Sequence, residues 1–280
     1  MADIMFAQTR WNYHSYTDYW ELVRLSGFPI VWLDEMDLYR HEVLYIVSPM
    51  NGEFEPFMEQ HKDRFSKVML WNLERPSGSG GLQQYIDDNR KYIDKGYLDG
   101  IIVSDRALAN DTGFTFVPLG SHIGLGRPGS ARDRLLGYSL IHLSCYSNHR
   151  AWMFRTPSDP YIELEGLPVA RNSWGIARHR ALMQTQYMLN VHQDDYLYME
   201  PLRFSLAAAY GLPILSEQCF DVYPYQEGWV SMSPNVRDLL RTEWIGDSKE
   251  FMDMYYQLGL NMRKTMTTIY SFKNSLEVFL

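Results

Sequence analysis

Cysteine is nearly missing from this 280-residue chain, which holds only Cys145 and Cys219. Two thiols build neither a disulfide framework nor a four-ligand zinc site by themselves. No apolar run approaches the ~18 residues of a membrane-crossing helix. Met1-Ala2-Asp3-Ile4 has no basic stretch leading into an apolar one, so no signal peptide is expected. Positive charge is short as well: 26 Lys and Arg stand against 34 Asp and Glu, a formal net charge of −8. That balance argues against a protein that coats nucleic acid or an anionic membrane. His-x-x-x-His and Cys-x-x-Cys spacings do not occur, and no metal is expected. The first apolar run is followed by Ala7-Gln8-Thr9-Arg10, not by the Gly-x-Gly-x-x-Gly of a dinucleotide site. The Gly/Ser loop at 77–81 lacks the Lys-Ser/Thr ending of a P-loop. Gly78-Ser79-Gly80 and Gly120-Ser121-His122 lack the strand–elbow–helix setting of a hydrolase serine. These absences leave a globular protein, read as cytoplasmic.

Aromatic residues, by contrast, are plentiful at 15%, with eight Trp and twenty Tyr. Flat side chains with a polar tip suit large cores, and they also suit surfaces that hold sugar rings or bases. Charge is uneven along the chain. Residues 1–100 carry 10 basic and 16 acidic groups, 101–180 carry 9 and 6, and 181–280 carry 7 and 12. A basic stretch inside an acidic protein points to a local anion site, or to arginines such as Arg127, Arg132 and Arg134 solvating a linker.

Apolar runs alternate with amphipathic stretches from the start. Strands are expected at 4–7, 29–33, 43–47, 67–71, 100–104 and 114–118, and helices at 16–25, 54–64 and 82–95. Strands apolar on both faces and separated by helices imply a parallel sheet covered on both sides. Gly120 to Ser130 then breaks the pattern with five glycines or prolines in eleven residues. A second series follows, with strands at 138–143, 187–192, 212–216 and 229–232. Its helices fall at 175–184, 201–210 and 234–241, and a helical pattern runs from 248 to the end. The expected fold is therefore α/β: two Rossmann-like domains with C-terminal helices, spanning 1–125 and 137–280 around a hinge at 126–136. Such domains bind ligands at the carboxyl ends of their strands.

The most informative segment runs from Leu189 to Glu217. A strand ends in Asn190-Val191-His192-Gln193-Asp194-Asp195, then Glu200-Pro201-Leu202 opens a helix of small residues that stops at Tyr210-Gly211-Leu212-Pro213. Proline suits the first helical position, and a carboxylate suits the positive end of the helix dipole. This pattern resembles the donor half of the GT-B glycosyltransferases, in which a glutamate opens a helix that ends in Ala-x-Gly-Leu-Pro before a strand. The close match covers about 30 residues, Glu200 and Tyr210 to Pro213 carrying it. Retaining members often have a second glutamate eight residues after the first; here Ala208 stands there, and Glu217 is the next carboxylate along.

The resemblance implies two domains facing across a cleft and transfer of a sugar from a nucleotide-diphosphate sugar, UDP-linked by preference, to a hydroxyl acceptor. No cofactor or metal is implied, because helix dipoles and cations take the diphosphate charge. The diphosphate would lie near Ser147, His149, Arg150 and Arg155, after the first strand of the second half; a solvated basic helix start reads the same residues. Donor sugar and nucleotide would meet His192, Asp194, Asp195, Glu200, Pro201 and Leu202. Arg171 and Trp174, in an Asn-x-Trp-Gly turn, would face the base or sugar, or else form a plain turn. The acceptor side would come from Arg10, Asn51, Glu74, Arg75, Asp105 and His122. Glu200 and His192 are the catalytic candidates, joined by Glu74 (or Asp105) as base should the reaction invert. Glu74 and Arg75 read equally as an ion pair. A saccharide or small metabolite is the expected acceptor, and a hydroxylated DNA base fits the acidic surface less well. The competing reading is a non-catalytic nucleotide- or glycan-binding module of the same fold. The sequence does not speak to the oligomeric state.

Overall fold

The computed structural model describes residues 4–8, 16–33, 35, 41–47, 54–76, 80–135, 137–142, 161–164, 167–171, 175–192, 196–226, 228–241 and 249–279. They group into two compact units: Met1–Leu119 with Phe272–Leu280, and Gly120–Ser271.

In the first unit the order is β1 (Ile4–Gln8), α1 (Thr17–Leu25), β2 (Ile30–Trp32), β3 (His41–Val47), α2 (Phe54–His61), a 3-10 turn (Lys62–Arg64), β4 (Phe65–Asn72), α3 (Gly81–Asp94), β5 (Gly100–Val103), α4 (Arg106–Thr112) and β6 (Thr115–Phe116). The strands form a parallel sheet in the order β2-β1-β3-β4-β5-β6. β1 is buried along its whole length, as its apolar run requires of a strand covered on both faces. Helix α4 was not expected from periodicity. It is seven residues long, and Asp105 caps it by accepting from the Leu108 N–H at 2.7 Å.

The second unit contains α5 (Ala131–Leu135), β7 (Tyr138–His142), β8 (Tyr161–Leu164), β9 (Leu167–Arg171), α6 (Gly175–Met183), β10 (Thr185–Asn190), α7 (Pro201–Tyr210), β11 (Ile214–Glu217), β12 (Val230–Ser233), α8 (Val236–Arg241) and α9 (Lys249–Thr268). Its sheet runs β12-β11-β10-β7-β9-β8. Every described pairing is parallel except β8 with β9, an antiparallel hairpin that corrects the all-parallel expectation. The last helix, α10 (Phe272–Phe279), belongs to the first unit, whereas the sequence reading grouped 137–280 together. Phe272 explains the difference, since its ring stacks on Trp71 at 5.2 Å and sits 5.8–6.1 Å from Phe6, Tyr19 and Phe28.

Helix α7 is the buried element of the second unit, closed to solvent from Arg203 to Tyr210. Its alanines let neighbours approach closely. A Cβ on Gly259 of α9 would lie 2.0 Å from the Gly211 carbonyl oxygen, so only glycine fits that crossing. The last carbonyls of α7 are capped by cations: Arg134 donates to the Tyr210 and Gly211 oxygens at 2.6 and 2.9 Å, and Arg263 donates to Ala209 O at 2.8 Å. Among the described residues, no helix is long and apolar enough to cross a membrane.

Candidate functional site

In the second sheet the chain leaves β7 toward β9 on one side and later adds β10 on the other. The order therefore reverses between β7 and β10, the place where open α/β sheets bind ligands beyond their carboxyl ends. Polar side chains gather there, at the ends of β7, β10 and β11: His142, Asn190, His192, Ser216 and Glu217, all at most 5% exposed. Buried polar groups at one strand edge are sustained only by mutual hydrogen bonds.

The bonds form a connected set. Asn190 Nδ2 donates to Ser216 Oγ at 2.8 Å, while its Oδ1 accepts from Arg203 Nη1. Arg203, in the first turn of α7, also pairs through Nη2 with the Glu200 carboxylate. The i,i+3 spacing puts the two on one helix face. Glu200 stands at the N-cap without making a side-chain cap bond, and Pro201 follows in the first turn. Its carboxylate is thus held beside the positive end of α7 and remains 19% exposed. The His192 backbone N–H donates to Glu217 Oε2 at 2.7 Å. Its Nε2 lies 2.9 Å from the Gln218 carbonyl oxygen. A carbonyl only accepts, so Nε2 carries a proton. The buried thiol of Cys219 lies 3.8 Å from that Nε2. For His142 the logic reverses: Nδ1 is 2.9 Å from Leu189 O and carries the proton. This edge can accept hydrogen bonds from hydroxyl groups through Glu200, with its negative charge balanced by Arg203.

Of the expected site residues, Glu200, Pro201, Leu202 and His192 fall on this edge. Arg171 ends β9, in register with His142 of β7. Glu74 and Arg75 follow β4 in the first unit. The Glu74 carboxylate accepts from the Tyr16 hydroxyl, and its backbone carbonyl accepts from Tyr85 at 3.0 Å. Asp105 is 2% exposed, and its carboxylate serves the α4 cap. His122 lies in the turn that opens the second unit, where its Nδ1 accepts from Gly124 N–H at 3.0 Å and partial burial pulls its pKa down. Arg10, Asn51, Ser147, His149, Arg150, Arg155, Trp174, Asp194 and Asp195 lie outside the described residues. Sequence reasoning passed over Arg203, Asn190 and His142. Arg203 had a visible signal in its spacing from Glu200; Asn190 and His142 depend on strand register. Among the described residues, no group of three or more His, Cys, Asp or Glu is placed to hold a metal ion.

No family model matches the chain, and no curated protein does. Solved structures do resemble it. TarM superposes with a TM-score of 0.55 at 12% identity, over 85% of this chain and 53% of its own. The glycosylation-associated Gap123 complex of Streptococcus agalactiae gives 0.50 at 8% identity, over 87% of this chain and 56% of that one. The accessory secretory protein 1, 2 and 3 structure from Streptococcus pneumoniae gives 0.50 at 11%, over 88% and 55%. The chain thus spans little more than half the length of each. At these identities the likeness is one of fold: a mixed α/β, Rossmann-like architecture with parallel sheets.

Proposed function

We propose that the chain acts in glycosyl transfer, taking a sugar from a nucleotide-diphosphate donor, UDP-linked by preference, to a hydroxyl acceptor. The observation that carries this reading is the Glu200–Arg203–Asn190 chain at the carboxyl edge of the second sheet. It joins the resembling helix start to the point where the strand order reverses. The Gap123 complex, whose fold this chain shares, is named for glycosylation, which supports the same class. In this reading the second unit holds the nucleotide-sugar donor. The Glu200 carboxylate accepts bonds from donor hydroxyls, with His192 on the same edge. The arginines of 150–155 and the α7 dipole balance the diphosphate. The bond from the anomeric carbon to the phosphate oxygen breaks with its electron pair leaving on the diphosphate, while the acceptor oxygen bonds that carbon. The acceptor proton passes to the departing phosphate if configuration is retained, or to a general base if it inverts.

A thermal-shift panel of UDP, GDP, ADP, CDP and their common sugar conjugates tests this, because a ligand of the native state raises the melting temperature. A shift with one nucleotide, joined to a large loss of transfer in Glu200→Ala, is the expected result. No shift with any of them removes the assignment. A non-catalytic binding module is favoured by one observation: eight residues beyond Glu200, α7 offers a fully buried alanine, Ala208, in place of a second carboxylate. Such a module binds the nucleotide and never consumes the sugar donor.

A further inference from the structure

The Glu200 carboxylate opens α7 without bonding the helix backbone, so the helix start does not fix where it points. Arg203 grips it through Nη2. A guanidinium is a flat, rigid fork, and pinning one of its ends sets the direction of the other. The pinned end is Nη1. It donates to Asn190 Oδ1 and reaches the Val191 carbonyl at 3.4 Å, so the end of β10 receives that side of the fork twice.

Asn190 can pin the fork because its amide has one allowed orientation. The residue is fully buried, and its Nδ2 donates to the Oγ of Ser216, also fully buried, at 2.8 Å. Ser216 has a single hydroxyl proton, which it donates to the Glu217 carbonyl at 2.6 Å. A carbonyl only accepts, so toward Asn190 the hydroxyl must accept, and the amide oxygen is left facing Arg203. A flipped amide would set its NH2 group against the guanidinium, donor against donor, in a place closed to water. The chain from Glu217 O through Ser216, Asn190 and Arg203 therefore has one direction at every bond. We propose that Asn190, its amide set by Ser216, is the positioning residue for Glu200, aiming that carboxylate through Arg203 at the hydroxyls of the donor sugar. What Glu200 meets rests on the glycosyl-transfer reading; the relay that aims it rests on the bonds alone.

The test has two arms, both on the full chain. The first needs no ligand. No hydrogen bond joins Asn190 to Glu200 directly, so Asn190→Leu and Glu200→Gln should act independently on urea unfolding unless Arg203 couples them. The expected result is a non-additivity of about threefold or more in the unfolding constant, lost when both changes are made in Arg203→Met. Additive effects in the unmodified background overturn the proposal. The second arm titrates UDP and UDP-glucose, or whichever nucleotide and sugar conjugate of the panel bind. Asn190→Leu should weaken the conjugate about tenfold relative to the bare nucleotide, the loss of one charge-assisted hydrogen bond. Adding Glu200→Ala should then weaken it no further. Equal weakening of nucleotide and conjugate is what a merely structural asparagine gives, and it overturns the proposal. Should Asn190→Leu fail to fold, Ser216→Ala carries both arms with the same expected signs. Coupling without binding of any nucleotide supports the relay and removes the glycosyl-transfer reading; nucleotide binding with additive stabilities sinks only the relay.

Discussion

The Glu200 carboxylate and the Asn190 amide share one guanidinium. Removing that guanidinium takes a charged donor from a partly buried carboxylate and a fully buried amide oxygen together, whereas removing Glu200 leaves the guanidinium its bond to Asn190. Arg203→Met is therefore expected to lower stability by about 3 kcal/mol, the range for breaking one side of a buried pair. A Glu200→Gln/Arg203→Met double variant should recover part of that loss, because the stranded charge is gone. Urea denaturation of Arg203→Met, Glu200→Gln and the double variant measures the coupling, and strictly additive losses would show that the pair has no energetic link. At this scale the sequence was half legible. Glu200 stood out because a helix start announces itself through proline, and the i,i+3 spacing to Arg203 was open to view. Asn190 could not be chosen, because its partners come from β11 and α7 and depend on register. Asp105 was read as chemistry although an aspartate before a short helix is first of all a cap.

Among the elements, α7 is the most constrained. Apart from Arg203 and Ser205 it is apolar on all sides, as a helix enclosed by its unit must be. Its carbonyl end is held by Arg134, whose pKa burial pulls down to about 10, and by Arg263. Such cations are retained in a buried place because unsatisfied helix carbonyls and the dipole's negative end need them. The α7–α9 crossing leaves no room at Gly259. Gly259→Ala forces the two backbones apart and should destabilise the protein by about 2 kcal/mol, typical of overpacking. Alanine's better helix propensity works in the opposite direction by up to about 1 kcal/mol. A melting temperature equal to or above that of the unmodified chain would mean that the helices separate at no cost. The strand runs, apolar on both faces, were legible from the sequence. The β8–β9 hairpin was not, because Glu165-Gly166 is a weak turn signal and Pro168 demotes a strand reading.

For the molecule as a whole, the division into two α/β units followed from alternating runs around the glycine-rich break. The return of the last helix to the first unit did not, because nothing in the pattern of 272–279 says which core receives it. Phe272 is fully buried in that core. Phe272→Ala should cost roughly 4 kcal/mol, as for other large-to-small changes of buried aromatics. Two-unit proteins need not unfold in one step. The loss should therefore appear in the transition reported by Trp20 and Trp71, two buried tryptophans of the first unit, while the second unit's transition stays in place. Equal movement of both transitions would mean that the units unfold as one.

The chain enters and leaves the second unit side by side, through the parallel bridge between Ser121 and Ser271. Some 150 residues of that unit are therefore synthesised between the first sheet and the phenylalanine that completes its core. At the usual ~5–20 residues per second of synthesis, the first unit waits roughly ten to thirty seconds on the ribosome with an aromatic cavity open. During that interval Phe6, Tyr19 and Trp71 expose the surface that Phe272 later covers.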